Sequence, residues 1–285
     1  MPVQIVLVEP VGYQHAGALA EMAETLVLAF RALGHPARAV ANGFAADALN
    51  VVLGAHLLSP AVAAQLPADT VIYNLEQVED HLFEWAPGLK GLFARCEVWD
   101  YSRRNIARLK PLAPRLFHLP VGTVPEMGRI RPAADQDIDV LFYGAVNERR
   151  RAVLKAVADA GLGLKAVFGA YGAARDALIA RAKVVLNLHK HEAQVFEIVR
   201  VSYLLANRKA VVSELAATTQ IEPDLRDAVA GVPMGEVVEC CRRLVADAAA
   251  RQALERRGHA RMAARQETAY LRRLLAARDK AVKRR

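Results

Sequence analysis

VLFYGAVNERR, residues 140–150, is the stretch from which the fold can be read. An apolar run enters Gly144, and Asn147-Glu148 then opens a helical pattern that begins with Arg149, Arg150 and Arg151. Outward from it the same rhythm repeats. Asp139–Phe142 reads as a strand, Glu148–Ala160 as a helix, Leu164–Phe168 as a strand and Arg175–Ala182 as a helix. Val184–Leu188, Phe196–Ala206 and Ala210–Val212 continue as strand, helix and strand. Short apolar runs alternating with helices predict βαβ units around a parallel sheet.

The N-terminal half has the same form. Val3–Val8 reads as a strand, Pro10–Gly12 as a turn and residues 17–33 as a helix. Its Leu19, Met22, Ala23, Leu26, Val27 and Phe30 recur at spacings of three and four, and Gly34 ends it. Further strands are expected at Ala37–Ala41, Val51–Leu53, Val71–Tyr73, Glu97–Trp99 and Leu116–Leu119. PVGTVPEMGRIRPAADQD (120–137) breaks the rhythm with three prolines and two glycines and reads as a linker. The expected organisation is α/β: a Rossmann-like domain over 1–121, a linker over 122–137, and a second doubly wound parallel sheet over 138–250. A basic helical tail over 251–285 completes it. Ligands of such sheets lie beyond the carboxyl ends of the strands, so two of them facing each other would share a cleft.

With 285 residues, 54% of them hydrophobic, the chain buries a sizeable core, which excludes a disordered chain or a disulfide-stapled mini-protein. Cys96, Cys240 and Cys241 form no zinc or CxxC spacing, and a reducing cytosol is the natural reading. The opening MPVQIVLVEP carries no basic leader, and no run of about 18 uncharged apolar residues predicts a membrane span. Net charge is +8, but residues 251–285 hold 12 of the 38 Lys/Arg and 3 of the 30 Asp/Glu. The other 250 residues therefore carry 26 basic against 27 acidic groups. A basic tail attracts any polyanion and specifies none.

Residues directly after strands are the first candidates for chemistry. Tyr13-Gln14-His15 places His15 just before a helix, either as a base for a substrate hydroxyl or as a helix-start residue. Asn74-Leu75-Glu76 either hydrogen-bonds a hydroxyl-rich acceptor or caps the next helix. Asp100 is a similar acceptor-side candidate, with Ser102 as an N-cap. In the second half Gly144 allows close backbone approach, and Asn147, Arg149 and Arg150 open a helix whose first amides favour a phosphate. The alternative there is a solvated basic turn. The run is neither G-x-G-x-x-G nor a P-loop. His189-Lys190-His191-Glu192 contains His-x-His, yet no third ligand at suitable spacing supports a metal. His189 and Lys190 suit a sugar or phosphate instead, with Glu197 on a ribose diol and Arg200, Ser213 and Glu214 on the same edge. Asp135-Gln136-Asp137-Ile138-Asp139 has a divalent-metal spacing but precedes its strand, and reads as a solvated charge run.

Together with YNLEQ (73–77), VWDYSRRN (98–105), HLPVG (118–122), VLNLH (185–189) and FEIVR…LLANRKAVVSE (196–214), the chain resembles GT-B glycosyltransferases of the family 1/family 4 type. Within these it is most similar to the bacterial group containing CgeB-like proteins. The resemblance implies two Rossmann-like domains facing a cleft, the first binding the acceptor and the second a nucleotide sugar. It implies a cytoplasmic, hexosyltransferase-type, metal-independent enzyme with no cofactor and a nucleotide-diphosphate sugar as co-substrate. The acceptor would be a glycan, a lipid-linked molecule or a protein. By position, Gly144 and Arg150 resemble diphosphate-side residues, Glu197 a donor ribose or sugar contact, and His15 a base or acceptor contact. The family pattern carries two glutamates seven residues apart. Here Val195 and Tyr203 stand near those positions, and Glu197 is offset.

The alternative is a catalytically inactive nucleotide- or glycan-binding module. Nucleic acid is not an expected partner, since the body is near neutral and holds no reading motif. Leu254, Met262, Tyr270, Leu271, Leu274 and Leu275 form a tail stripe expected to dock on the body. Arg278–Arg285 is expected to stay solvated, free to meet an anionic membrane surface.

Overall fold

Runs such as Leu49–Leu53, buried at every position, form the middle of a parallel sheet that helices cover on both faces. The structure is a computed structural model and describes residues 1–13, 15–67, 69–190 and 195–283. The chain divides into two units, residues 1–124 with 266–285, and residues 125–265.

Unit 1 contains β1 (Val3–Leu7), α1 (Ala20–Ala32), β2 (Ala37–Ala41), β3 (Leu49–Leu53), α2 (Pro60–Ala64) and β4 (Val71–Asn74). It continues through α3 (Asp80–Trp85), α4 (Leu89–Arg95), β5 (Glu97–Asp100), α5 (Arg103–Leu109) and β6 (Leu116–His118). Among the described residues the strand order is β2-β1-β3-β4-β5-β6, all parallel. Val6, Val52, Ile72 and Val98 form one core with Leu92 and Phe93 of α4.

Unit 2 contains β7 (Ile138–Tyr143), α6 (Glu148–Asp159), β8 (Leu164–Val167), α7 (Gly172–Arg181), β9 (Ala182–Asn187) and α8 (Ile198–Ala206). β10 (Ala210–Glu214), β11 (Ala230–Val232), α9 (Val237–Ala246) and α10 (Ala248–Ala264) complete it. The order β11-β10-β9-β7-β8 is again parallel. Val140, Val184, Leu186 and Val212 pack with Val157, Val237 and Leu254.

The linker expected over 122–137 is fastened to unit 2 from residue 125 on. Asn207 Oδ1 accepts from the amides of Arg129 and Ile130 at 2.8 and 2.7 Å, and its Nδ2 donates to the Met127 carbonyl at 2.9 Å. One side chain thus satisfies three backbone groups of a proline-rich segment that has no ladder of its own.

The tail expected as one piece over 251–285 divides at Arg265. α10 belongs to unit 2, and α11 (Glu267–Val282) packs against α1 in unit 1. Arg265 donates to Glu222 and Asp224 at 2.6 and 2.7 Å. Glu267 accepts from the Gly122 amide at 2.7 Å and donates its own amide to Thr123. Leu254, Met262, Leu271 and Leu274 are buried. Arg278 is not solvated as expected: its Nε donates to buried Glu97 at 3.0 Å, because a buried carboxylate requires a countercharge. Arg284 and Arg285 lie outside the described residues. Among those described, no helix is long and apolar enough to cross a membrane, and the three cysteines are free and buried.

Candidate functional site

In unit 2 the loops that follow β7, β9 and β10 meet through charged side chains. Gly144 leaves β7 at φ +134°, and a Cβ there would sit 3.1 Å from Arg200 Nη2. Only glycine lets the backbone lie this close to the guanidinium in this conformation. Asn147 caps α6, accepting from the Arg150 amide at 3.1 Å, and donates Nδ2 to the Lys190 carbonyl at 2.6 Å. The cap therefore also joins the β7 and β9 loops.

Of the helix-opening arginines only Arg151 is exposed, and Arg149 and Arg150 are tied inward. Arg149 pairs with both oxygens of Glu214, its Nη1 at 2.7 Å from Oε2, and reaches the His189 carbonyl at 3.2 Å. Arg150 is buried. It donates to the carbonyls of Leu188 and Ala145, and Nη2 lies 3.5 Å from Glu197 Oε1. Burial lowers the Arg150 pKa, partly offset by Glu197.

Glu197 stands between Arg150, Arg200 Nε at 3.7 Å and His189 Nδ1 at 3.6 Å. Burial alone would raise its pKa, but Arg200, then His189 and Arg150, pull it down to about 2. Glu214 is likewise lowered: burial opposes, and Arg149 outweighs it. His189 is 1% exposed with Nδ1 toward Glu197, and among the described residues Arg200 Nη1 has no hydrogen-bond partner. A buried donor without a partner marks unfilled polar capacity.

A second layer comes from residues that the strand-end rule does not reach. Arg175 on α7 donates to Asp176 at 2.8 Å and lies 4.8 Å over the Tyr203 ring. The Tyr203 hydroxyl donates to Asp176 at 2.8 Å and accepts from Arg129 Nε at 3.0 Å. Burial and the Asp176 bond push its pKa up to about 12. Four arginines, 149, 150, 175 and 200, thus meet the carboxylates of Glu197, Glu214 and Asp176.

Other expected residues fall elsewhere. Ser213 is fully buried, accepting from Asn187 at 3.0 Å across β9 and β10, so it stiffens the sheet rather than entering the edge. Lys190 is exposed. His191 and Glu192 lie outside the described residues. Asp137 pairs with Arg181, and Asp139 takes Lys183 Nζ at 2.7 Å, both at the amino end of β7. Among the described residues no three His, Cys, Asp or Glu side chains gather as metal ligands.

In unit 1, Asp100 is fully buried. It accepts from Asn74 Nδ2 at 2.6 Å, Asn105 Nδ2 at 3.2 Å and the Ser102 amide at 2.8 Å. Burial outweighs these donors and pushes its pKa up to about 8. Asn74 and Asn105 also donate to the Glu76 carbonyl at 2.9 and 2.8 Å. Asn74 and Asp100, expected on the acceptor side, are therefore internal supports, and Glu76 alone of the three presents its side chain outward. Ser102 caps α5 as expected. His15 precedes a 3-10 turn without capping it through its side chain, and its ring meets Tyr13 edge-on at 5.4 Å.

Known structures share this architecture. Anabaena HepE, solved with UDP and glucose, aligns over 98% of this chain and 100% of its own, with a TM-score of 0.60 and 11% identity. WaaG, involved in lipopolysaccharide biosynthesis, aligns over 94% and 98% with a TM-score of 0.58 and 13% identity. TarM aligns over 80% and 54% with a TM-score of 0.57 and 9% identity. The fold is that of the GT-B glycosyltransferases. A curated relative, uncharacterized protein L137 of Acanthamoeba polyphaga mimivirus, is 27% identical over 124 residues, 41% of this chain. The chain spans 54% of TarM's length and 17% of L137's. No protein-family model matches. In this GT-B chain Gly144, Asn147, Arg149, Arg150, His189, Glu197, Arg200 and Glu214 come together in unit 2.

Proposed function

We propose that the chain is a metal-independent glycosyltransferase that takes a nucleotide-diphosphate sugar at the unit 2 edge. The supporting observation is Arg200 Nη1, a buried donor with no partner among the described residues, beside the close backbone of Gly144. Arg149 and Arg150, already bound to Glu214 and to backbone carbonyls, act as the frame around that donor. UDP and glucose bound to HepE favour a UDP-hexose donor. In the reaction an acceptor hydroxyl oxygen bonds to the anomeric carbon as the bond to the diphosphate oxygen breaks. The nucleoside diphosphate leaves with the electron pair, stabilised by the cationic edge. His15 takes the hydroxyl proton or orients the acceptor.

A thermal-shift screen of UDP-, GDP-, ADP-, dTDP- and CMP-linked sugars tests this reading. One donor at 100 times its Kd should add about 2.7 kcal/mol of stability, with or without EDTA. No stabilisation by any of them overturns it. A binding module without turnover is favoured by one observation, Tyr203 tied to Asp176 and Arg129 where the resembled pattern carries a glutamate. Release of free sugar from the stabilising donor excludes that reading. Peripheral membrane contact would fall to Lys280 and Lys283, and salt-sensitive sedimentation with anionic liposomes tests it.

A further inference from the structure

Trp85 ends α3 with 61% of its surface exposed, whereas Trp99 is fully buried. An exposed indole beside polar groups has one apolar face and a polar edge to offer a ligand, and two polar side chains lie near it. The indole lies against His56, ring centroids 5.1 Å apart and planes inclined by 38°. His56 occupies the turn after β3, and its Nδ1 stands 3.8 Å from Glu76 Oε1 in the loop after β4. The Glu76 side chain is 42% exposed. Its carbonyl is clamped by Asn74 and Asn105, both anchored on buried Asp100. The loop backbone at Glu76 is therefore held in place from beneath, while its side chain, with Oε1 toward His56, stays partly exposed.

We propose that Trp85 and Glu76, backed by the buried His56 ring, form a platform for a pyranose ring of the acceptor. The indole's electron-rich face attracts the C–H-lined side of a sugar. Glu76 accepts hydrogen bonds from neighbouring hydroxyls, which a carboxylate does with two oxygens at once. Burial lowers the His56 pKa against the pull of Glu76, and with 8% of its side chain exposed the ring supports the indole from behind. A membrane surface fits less well, because within ten positions of Trp85 the acidic Glu76, Asp80 and Glu84, with Glu79 paired to Arg104 and Arg108, outnumber Lys90 and Arg95. The word acceptor rests on the glycosyltransferase reading; the platform itself does not.

Acrylamide quenching of tryptophan emission in the full chain isolates this site, since Trp85 is the accessible tryptophan of the two. The probes are methyl α- and β-glycosides of glucose, galactose, mannose and N-acetylglucosamine, with their trisaccharides. At least one should shield Trp85. Trp85→Ala should abolish binding of that sugar in calorimetry, a readout that does not need the indole, and Glu76→Gln should raise the sugar's Kd about tenfold while UDP affinity stays unchanged. The proposal is overturned if no sugar shields Trp85. It is also overturned if phosphatidylcholine/phosphatidylglycerol vesicles, or a rise in protein concentration, shield it while sugars do not. Sugar shielding without binding of any nucleotide sugar breaks the transferase reading and leaves the platform standing.

Discussion

Asp100 in unit 1 and Glu197 in unit 2 are carboxylates set among the loops of two similar parallel sheets, and burial penalises charge at both. Asp100 is pushed up to about 8, and Glu197 is pulled down to about 2. The difference lies in their partners. Asp100 meets amide dipoles from Asn74, Asn105 and Ser102, which do not repay its desolvation. Glu197 meets the full charges of Arg200 and Arg150. One architecture thus holds a carboxyl whose ionisation is suppressed in unit 1 and an ionised carboxylate held by arginines in unit 2.

The comparison is sharpened most by His15 at the unit 1 edge. If it is the base, His15→Ala lowers turnover by about 10²–10⁴ while nucleotide affinity stays near wild type. Unchanged turnover makes it a helix-start residue. Next comes Glu197→Gln, which leaves buried Arg150 without its carboxylate and should cost about 3–5 kcal/mol in urea unfolding. A loss below about 1 kcal/mol would mean that the Leu188 and Ala145 carbonyls suffice for Arg150. Arg200→Ala should weaken nucleotide-diphosphate binding by about 1.5–3 kcal/mol in calorimetry. Unaltered affinity would move the anion site away from Gly144.

A pH slope also separates the two carboxylates. Because Asp100 is raised in the folded state from 3.8, its stability contribution is full below about 4 and is lost as pH climbs through about 8. Glu197 has the opposite sign, contributing above its ordinary 4.5 and losing that contribution as pH falls toward about 2. The unfolding free energy across pH 4 to 8 should therefore decline, by at most about 1.4 kcal/mol per pH unit for one proton. Asp100→Asn should flatten that decline; an unchanged slope would assign it to another group.

The alternation of strands and helices was legible because strands buried on both faces are unbroken apolar runs, as in Leu49–Leu53. α2, α3 and α4, at five to seven residues, are too short to display a helical period. β11 is Ala-Gly-Val, and its Gly231 makes room for Leu215, a packing reason invisible to periodicity. At the site, Gly144, Arg149, Glu197 and Glu214 could be found because they follow strands. Their partnerships could not: Arg149 and Glu214 are 65 residues apart, and Arg175 and Asp176 come from within a helix. His56 obeys the strand-end rule that picked out Glu76, so the rule reaches it. Trp85, at the end of a helix, has no such signal.

Unit 1 is made from two distant stretches, residues 1–124 and 266–285. On the ribosome, α11 emerges only after every residue of unit 2. Until then a nascent unit 1 lacks the helix that packs on α1, the carboxylate that receives the Gly122 amide and the guanidinium that neutralises buried Glu97. The second unit has all of its own chain first. Vectorial synthesis therefore leaves the earliest-made sheet waiting for its last helix, and the later-made unit can close before it.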